Sequence, residues 1–176
     1  MPPKHIIDTC CFINFYASGQ AAGLLNAVGG AVAIPEAVKR EALFLAPSHP
    51  DEKPTPLNID QVITELKLTV VSPANASELA LYIELAAHLD DGEAMGLSLA
   101  KERGLTLLTD ERKARRKAAD LGVAVLTTCD VVRAWESHAS ESGVVTAVQR
   151  IGTLARFTPG PKDPRYEWWM KLASRT

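Results

Sequence analysis

Five short apolar runs punctuate the chain, separated by stretches of helical length. They are Ile6-Ile7, "AVAI" at 31–34, "LTVV" at 68–71, "LTLL" at 105–108 and "VAVLT" at 123–127. Strands that alternate with helices in this way pair in parallel through right-handed crossovers. The pattern therefore predicts an α/β chain with a central parallel sheet. In such sheets, sites form outside the carboxyl ends of the strands.

The segments between these runs carry helix signals. Thr9 is placed to cap a helix through Phe12 to Tyr16, and "QAAGLLNAVG" makes a second, stopped by Gly29-Gly30. Pro35 sits at the favoured first position of a helix carrying Val38, Glu41 and Leu45. Four prolines and several charges between Ala46 and Asn58 predict an exposed loop, followed by a helix near Asp60–Leu66. Asn75 or Ser77 caps a helix to about His88, and Asp90-Asp91-Gly92 opens another that ends at Gly104. A charged helix stops at Gly122, and Thr128 caps one through Val131, Val132 and Trp135. Past His138, "GVVTAVQRIGTLARF" reads as a helix and "TPGPKDP" as a break. "RYEWWMKLA" is a short amphipathic piece with Trp168 and Trp169.

Acidic residues stand where several of these elements meet. Asp8 ends the first apolar run and Asp110 follows "LTLLT"; each precedes a helix. Leaving a charge desolvated and unpaired costs several kcal/mol, so carboxylates at such positions call for a reason. Helix capping is the ordinary one. Glu41 lies in "IPEAVKREAL", where its ordinary reading is a solvated helix face. Glu93 lies in "LDDGEAMGLSLA", where Asp90 and Glu93 fit a capping box and Asp91 competes with Glu93 for any metal role. Four acids able to converge point instead to a divalent-metal site acting on phosphate esters.

Charge distribution agrees with that chemistry. Residues 1–100 hold five Lys/Arg against twelve Asp/Glu, and residues 101–176 hold fourteen against nine. An acidic centre with a basic flank suits a polyanion cleaved with the help of metal ions. Arg112, Arg115 and Arg116, spaced i, i+3 and i+4, form the densest basic face. They are either a solvated helix surface or a track for a phosphate backbone. Trp168 and Trp169 either stack bases or dock a terminal helix.

Other chemistries find no foothold. No Ser–His–Asp or Cys–His pair and no phosphate-binding glycine loop is apparent. The four histidines are dispersed without zinc spacing. Cys10, Cys11 and Cys129 read as small buried residues in a reducing cytoplasm. No window approaches the roughly 18 apolar residues of a membrane span. Residues 1–5 show no signal peptide, so the expected location is cytoplasmic, with no membrane partner.

Taken in order, "IIDTC", "IPEAVKREAL", "DDGEAMGLSLA" and "LTLLTDERKARRKA" resemble the PIN-domain ribonucleases, close to the VapC toxins of toxin–antitoxin pairs. The resemblance covers about residues 5–135. It implies a three-layer α/β/α fold and Mg²⁺ or Mn²⁺ held by Asp8, Glu41, Glu93 and Asp110, with Asp91 as the competing third ligand. Thr9 and Thr109 would position a ligand or a phosphate. It further implies an RNA substrate, a homodimer and an inhibiting antitoxin. On this reading residues 1–137 are the nuclease domain, and 138–176 are an extension packed on it. The rivals are an inactive PIN-like module that binds RNA or protein, and a magnesium-dependent phosphoacceptor domain. The second lacks a convincing strand-end lysine.

Overall fold

The computed structural model describes residues 2–41, 43–47 and 51–175. Ala42 and residues 48–50, which belong to the expected helix at 35–45 and the expected loop at 46–58, lie outside them. The chain opens with β1 (His5–Ile7), α1 (Thr9–Ala17), α2 (Ala21–Ala27), β2 (Val32–Pro35) and α3 (Glu36–Arg40). It continues through β3 (Phe44–Leu45), β4 (Thr55–Pro56), α4 (Ile59–Glu65), β5 (Thr69–Val71), α5 (Ala76–Ala86) and α6 (Asp91–Arg103). Then come β6 (Thr106–Leu108), α7 (Arg112–Leu121), β7 (Val125–Leu126), α8 (Thr128–Trp135), α9 (Glu141–Leu154) and α10 (Tyr166–Ala173).

Two compact units divide the chain. The first comprises Met1–Phe12, Gly29–Glu41 and Asn58–Thr127; the second comprises Ile13–Val28, Ala42–Leu57 and Thr128–Thr176.

The first unit holds a five-stranded sheet in the order β5-β2-β1-β6-β7, parallel throughout. It is the middle layer of a three-layer α/β/α fold, as the resemblance implies, and its parallel pairing is what the alternation predicts. From β1 the chain builds outward through β2 and β5, then crosses to the other side for β6 and β7. The β1–β6 boundary is therefore a topological switch point, where open parallel sheets place their crevice. Ile7 pairs with Leu108, and the Asp8 N–H donates to the Leu108 carbonyl at 3.0 Å. That register sets the ends of β1 and β6 side by side.

Helix α6 is the spine of this unit. Every residue from Ala94 to Ala100 is buried, beside Ile6, Ala33 and Leu107 of the sheet. Full burial of each such Leu or Ile contributes about 1.5–3 kcal/mol. Asp90 caps its start, accepting from the Glu93 N–H at 2.9 Å, and Gly104 ends it with φ +64°, a left-handed conformation that glycine adopts without a Cβ clash. An ion pair between buried Glu78 and partly exposed Arg103 ties α5 to α6. Glu78 accepts from Arg103 Nε at 2.8 Å and from Nη2 at 3.0 Å, and also from the Ala74 N–H at 2.6 Å. Asn75, rather than Ser77, caps α5 through the Glu78 N–H.

Several local expectations are corrected, among them that Thr128 caps α8, of which it is instead the first residue. The helix expected to begin at Pro35 and run through Glu41 to Leu45 is a single short helix, Glu36–Arg40. Pro35 ends β2, Glu41 is extended (φ −74°, ψ 143°), and Leu45 lies in a β-strand. Thr9 is the first residue of α1 but not its cap. Asp8 caps that helix, its carboxylate accepting from the Cys11 N–H at 2.9 Å and its carbonyl from Phe12.

In the second unit, β3 and β4 form an antiparallel hairpin where a plain loop was expected. Asn14 Nδ2 donates to Thr128 Oγ1 at 3.1 Å. Trp169 is buried, edge-on to Phe157 at 5.5 Å, and Trp168 lies under the Arg133 guanidinium at 5.2 Å. These contacts dock α10, the ordinary role for both tryptophans. No described helix is long and apolar enough to cross a membrane.

Candidate functional site

Asp8 follows the last residue of β1 and is 2 % exposed. Its described partners are all neutral: the Cys11 N–H, the Cys10 thiol at 3.1 and 3.2 Å, and the Thr109 hydroxyl. Burial pushes its carboxyl up to about 7, opposed by those donors and reinforced by the Asp110 charge. Thr109, fully buried, also accepts from the Glu111 N–H at 3.1 Å. These two hydrogen bonds hold Thr109 beside Asp8.

Asp110 is two residues beyond β6 and half-buried. The Cys11 thiol donates to its Oδ2 at 3.3 Å. One residue, Cys11, therefore contacts both strand-end acids: Asp8 through its N–H and Asp110 through its thiol. The parallel pairing of β1 and β6 brings together carboxylates that lie far apart in sequence.

Glu93 enters from the first turn of α6. Burial and the Asp90 charge lift its carboxyl to about 7, against a hydrogen bond from the Asp90 N–H, with Glu111 and Asp8 adding repulsion. The capping box is therefore closed in both directions, and the same side chain feels the charge of Asp8. Capping and convergence are not exclusive here. Asp91 is exposed and accepts a short hydrogen bond from the Tyr82 hydroxyl. Its carboxylate is bonded to α5 and adds repulsion at Glu41, whereas Glu93 feels the charges of Glu111 and Asp8.

Glu41 joins through Thr9, whose hydroxyl donates to Oε2 at 2.9 Å. Burial raises its carboxyl, the Thr9 bond opposes this, and Asp90 and Asp91 add to it. Gly92 makes the approach possible. A Cβ there would stand 2.7 Å from Glu41 Oε1, nearer than real Cβ atoms come, and 3.1 Å from Thr9 Oγ1, a tight contact. The start of α6 can lie against Glu41 because residue 92 has no side chain.

Cys10, Cys11 and Gly92 were not anticipated as site residues. All three cysteines are thiols, and Cys129 is buried as expected; Cys10 and Cys11, however, contact carboxylates. The one sequence signal for them was their place in the helical turn that directly follows Asp8. Arg112, Arg115 and Arg116 are all exposed on α7, which buries Ala114 and Ala118. Arg112 opens that helix two residues after Asp110.

Hard carboxylate oxygens are the donor type that Mg²⁺ and Mn²⁺ prefer. A buried Asp8 with only neutral donors and a second acid beside it fits a divalent cation, which would relieve both desolvation and repulsion. Sequence comparison agrees with the geometry: the family model DUF3368, described as a PIN domain, matches residues 4–151. No curated protein matches the chain.

Proposed function

The chain belongs to the PIN-domain family, whose members are generally divalent-metal-dependent nucleases, and from that premise we propose that it is a metal-dependent endoribonuclease. The observation that carries this reading is the pairing of Asp8 and Asp110 at the β1–β6 switch point, bridged by Cys11. Asp8, Asp110, Glu93 and Glu41 would hold Mg²⁺ or Mn²⁺. Such an ion stabilises charge on phosphoryl oxygens and makes a nucleophilic water available near neutral pH.

The protein's own residues do the rest. Thr109 and the Cys11 N–H fix the Asp8 carboxylate, and Thr9 turns Glu41 toward α6. Asp8 and Glu93, both near 7, bind cations in competition with protons, so loading strengthens as pH rises through neutrality. Arg112, Arg115 and Arg116 offer exposed positive charge beside Asp110 for the RNA backbone, positioning it without reading sequence.

The order and spacing of the four acidic segments, similar to those of VapC toxins, support the finer reading. On it the protein is a cytoplasmic, homodimeric toxin restrained by a cognate antitoxin. The test is cleavage of a structured RNA by the purified chain with Mn²⁺ or Mg²⁺, reversed by chelation. Asp8→Asn and Asp110→Asn should each abolish cleavage and weaken metal binding in calorimetry by about tenfold or more, or at least ~1.4 kcal/mol. Unchanged metal affinity in both variants would sink the proposed centre. A small gene immediately upstream whose product suppresses the activity would identify the antitoxin.

A further inference from the structure

Two thiols stand at the centre of this site, and the nuclease reading gives neither sulfur a chemical step. Cys10 Sγ lies 3.1 and 3.2 Å from the two oxygens of Asp8, and Cys11 Sγ lies 3.3 Å from Asp110 Oδ2. An Asp8 oxygen and both sulfurs fall within 4.8 Å of one another. Around a tetrahedral zinc ion, with Zn–S about 2.3 Å and Zn–O about 2.0–2.2 Å, ligand atoms stand roughly 3.3–3.8 Å apart. The observed sulfur–oxygen separations need to widen by only a few tenths of an ångström. Cys11 is buried and Cys10 half-buried, so the first turn of α1 already holds the sulfurs against the carboxylates.

The geometry points to a thiophilic cation site built from Cys10, Cys11 and Asp8, which takes a soft divalent ion of the zinc class on two sulfurs and a carboxylate oxygen, with Asp110 against Cys11 at its edge. Magnesium and manganese prefer oxygen alone, whereas thiolates select softer ions. Binding replaces two S–H bonds with two metal–sulfur bonds and releases two protons, with no change of oxidation state. Because Asp8 belongs to both sets, the soft ion excludes the hard one. It therefore acts as an inhibitor, a consequence that rests on the nuclease reading, whereas the binding does not.

The experiment titrates the full, metal-free chain with Cd²⁺ and follows the ultraviolet thiolate-to-cadmium charge-transfer band. The band should saturate at one ion per chain, persist in Cys129→Ser and disappear in Cys10→Ser/Cys11→Ser. Asp8→Asn should weaken Cd²⁺ binding while leaving the cysteines in place, which provides a second variant. No band in the parent chain, or a band absent from Cys129→Ser and kept in the double variant, overturns the site. In the activity arm, Zn²⁺ should suppress Mn²⁺-supported cleavage. Its inhibition constant should rise by about tenfold or more in the double variant, measured against that variant's own Mn²⁺ rate. Equal inhibition of both proteins overturns the shared-ligand claim. A cadmium band without any cleavage overturns the nuclease reading and leaves this site standing.

Discussion

Thr9 donates its hydroxyl hydrogen to Oε2 of Glu41 at 2.9 Å, joining the first turn of α1 to the residue that ends α3. This bond explains why Glu41 leaves the helical path. Helix propensities differ by tenths of a kcal/mol per residue, whereas a hydrogen bond to a charged acceptor contributes about 1.5–3 kcal/mol. Thr9→Val, which keeps the shape and removes the donor, should weaken Mn²⁺ affinity severalfold and lower cleavage at subsaturating metal. High Mn²⁺ should restore much of the rate. Metal-titrated cleavage assays check this; an unaltered titration curve would mean that Glu41 is not a ligand.

Glu93 and Asp91 can be separated by their partners. Asp91 is bonded to Tyr82 and exposed, while Glu93 feels Asp8. Glu93→Gln should abolish cleavage with little loss of stability, because Gln can still complete the capping box. Asp91→Asn should cleave nearly normally. The reverse pattern would make Asp91 the third ligand, and normal cleavage by both would reduce the segment to a helix start.

The metal-free protein should lose stability as pH rises. Asp8 moves from an ordinary carboxyl value to about 7 on folding, so the folded state binds its proton more tightly than the unfolded chain does. Its contribution is full below about pH 4 and disappears as pH climbs through 7. Thermal melts in chelator between pH 5 and 8 should show a falling Tm, with a shallower slope in Asp8→Asn. A Tm that rises over this range, or equal slopes, would contradict the buried, cation-free carboxyl.

The Glu78–Arg103 pair should behave oppositely. Arg103 and the Ala74 N–H hold Glu78 down to about 2, so its stabilisation is present above the ordinary carboxyl range and disappears as pH falls through 2. Arg103→Met strands a buried carboxylate. The Arg103 side chain is 28 % exposed, so the cost should be about 2–3 kcal/mol, below the 3–5 of a fully buried pair. Urea unfolding at pH 7 measures it, and a loss under about 0.5 kcal/mol would show that water already screens the pair.

Replacing Arg112, Arg115 and Arg116 by alanine should weaken RNA binding across all sequences in a cleavage-dead background. The slope of log affinity against log salt should flatten by up to about 0.7 for each phosphate that is no longer neutralised. Turnover at saturating RNA should change little. An unchanged slope would make α7 an ordinary solvated face.

Much of this molecule was legible before folding was considered. Apolar runs of strand length alternating with helices settled the parallel α/β class, because a parallel strand must be reached by a crossover. Asp90 with Gly104 marked both ends of α6, since capping chemistry is local. Asp8 and Asp110 were visible as acids at the ends of apolar runs. The Glu36–Arg40 helix was overextended because a periodic pattern records the local preference of residues 35–45 and nothing of Thr9.

Only the tertiary structure decided what those acids face. The strand order made β1 and β6 neighbours, and their register then set Asp8 beside Asp110 and brought the Cys11 thiol to Asp110. It also left Glu93 within the field of Asp8 and bonded Asp91 to Tyr82, though the two are only two residues apart on one helix. Capping, turn and periodicity signals act over a few residues, so they fix elements and their ends. Which side chains share a buried space depends on hydrogen bonds and packing between segments about a hundred residues apart, as Cys11 and Asp110 are, and no local signal carries that information.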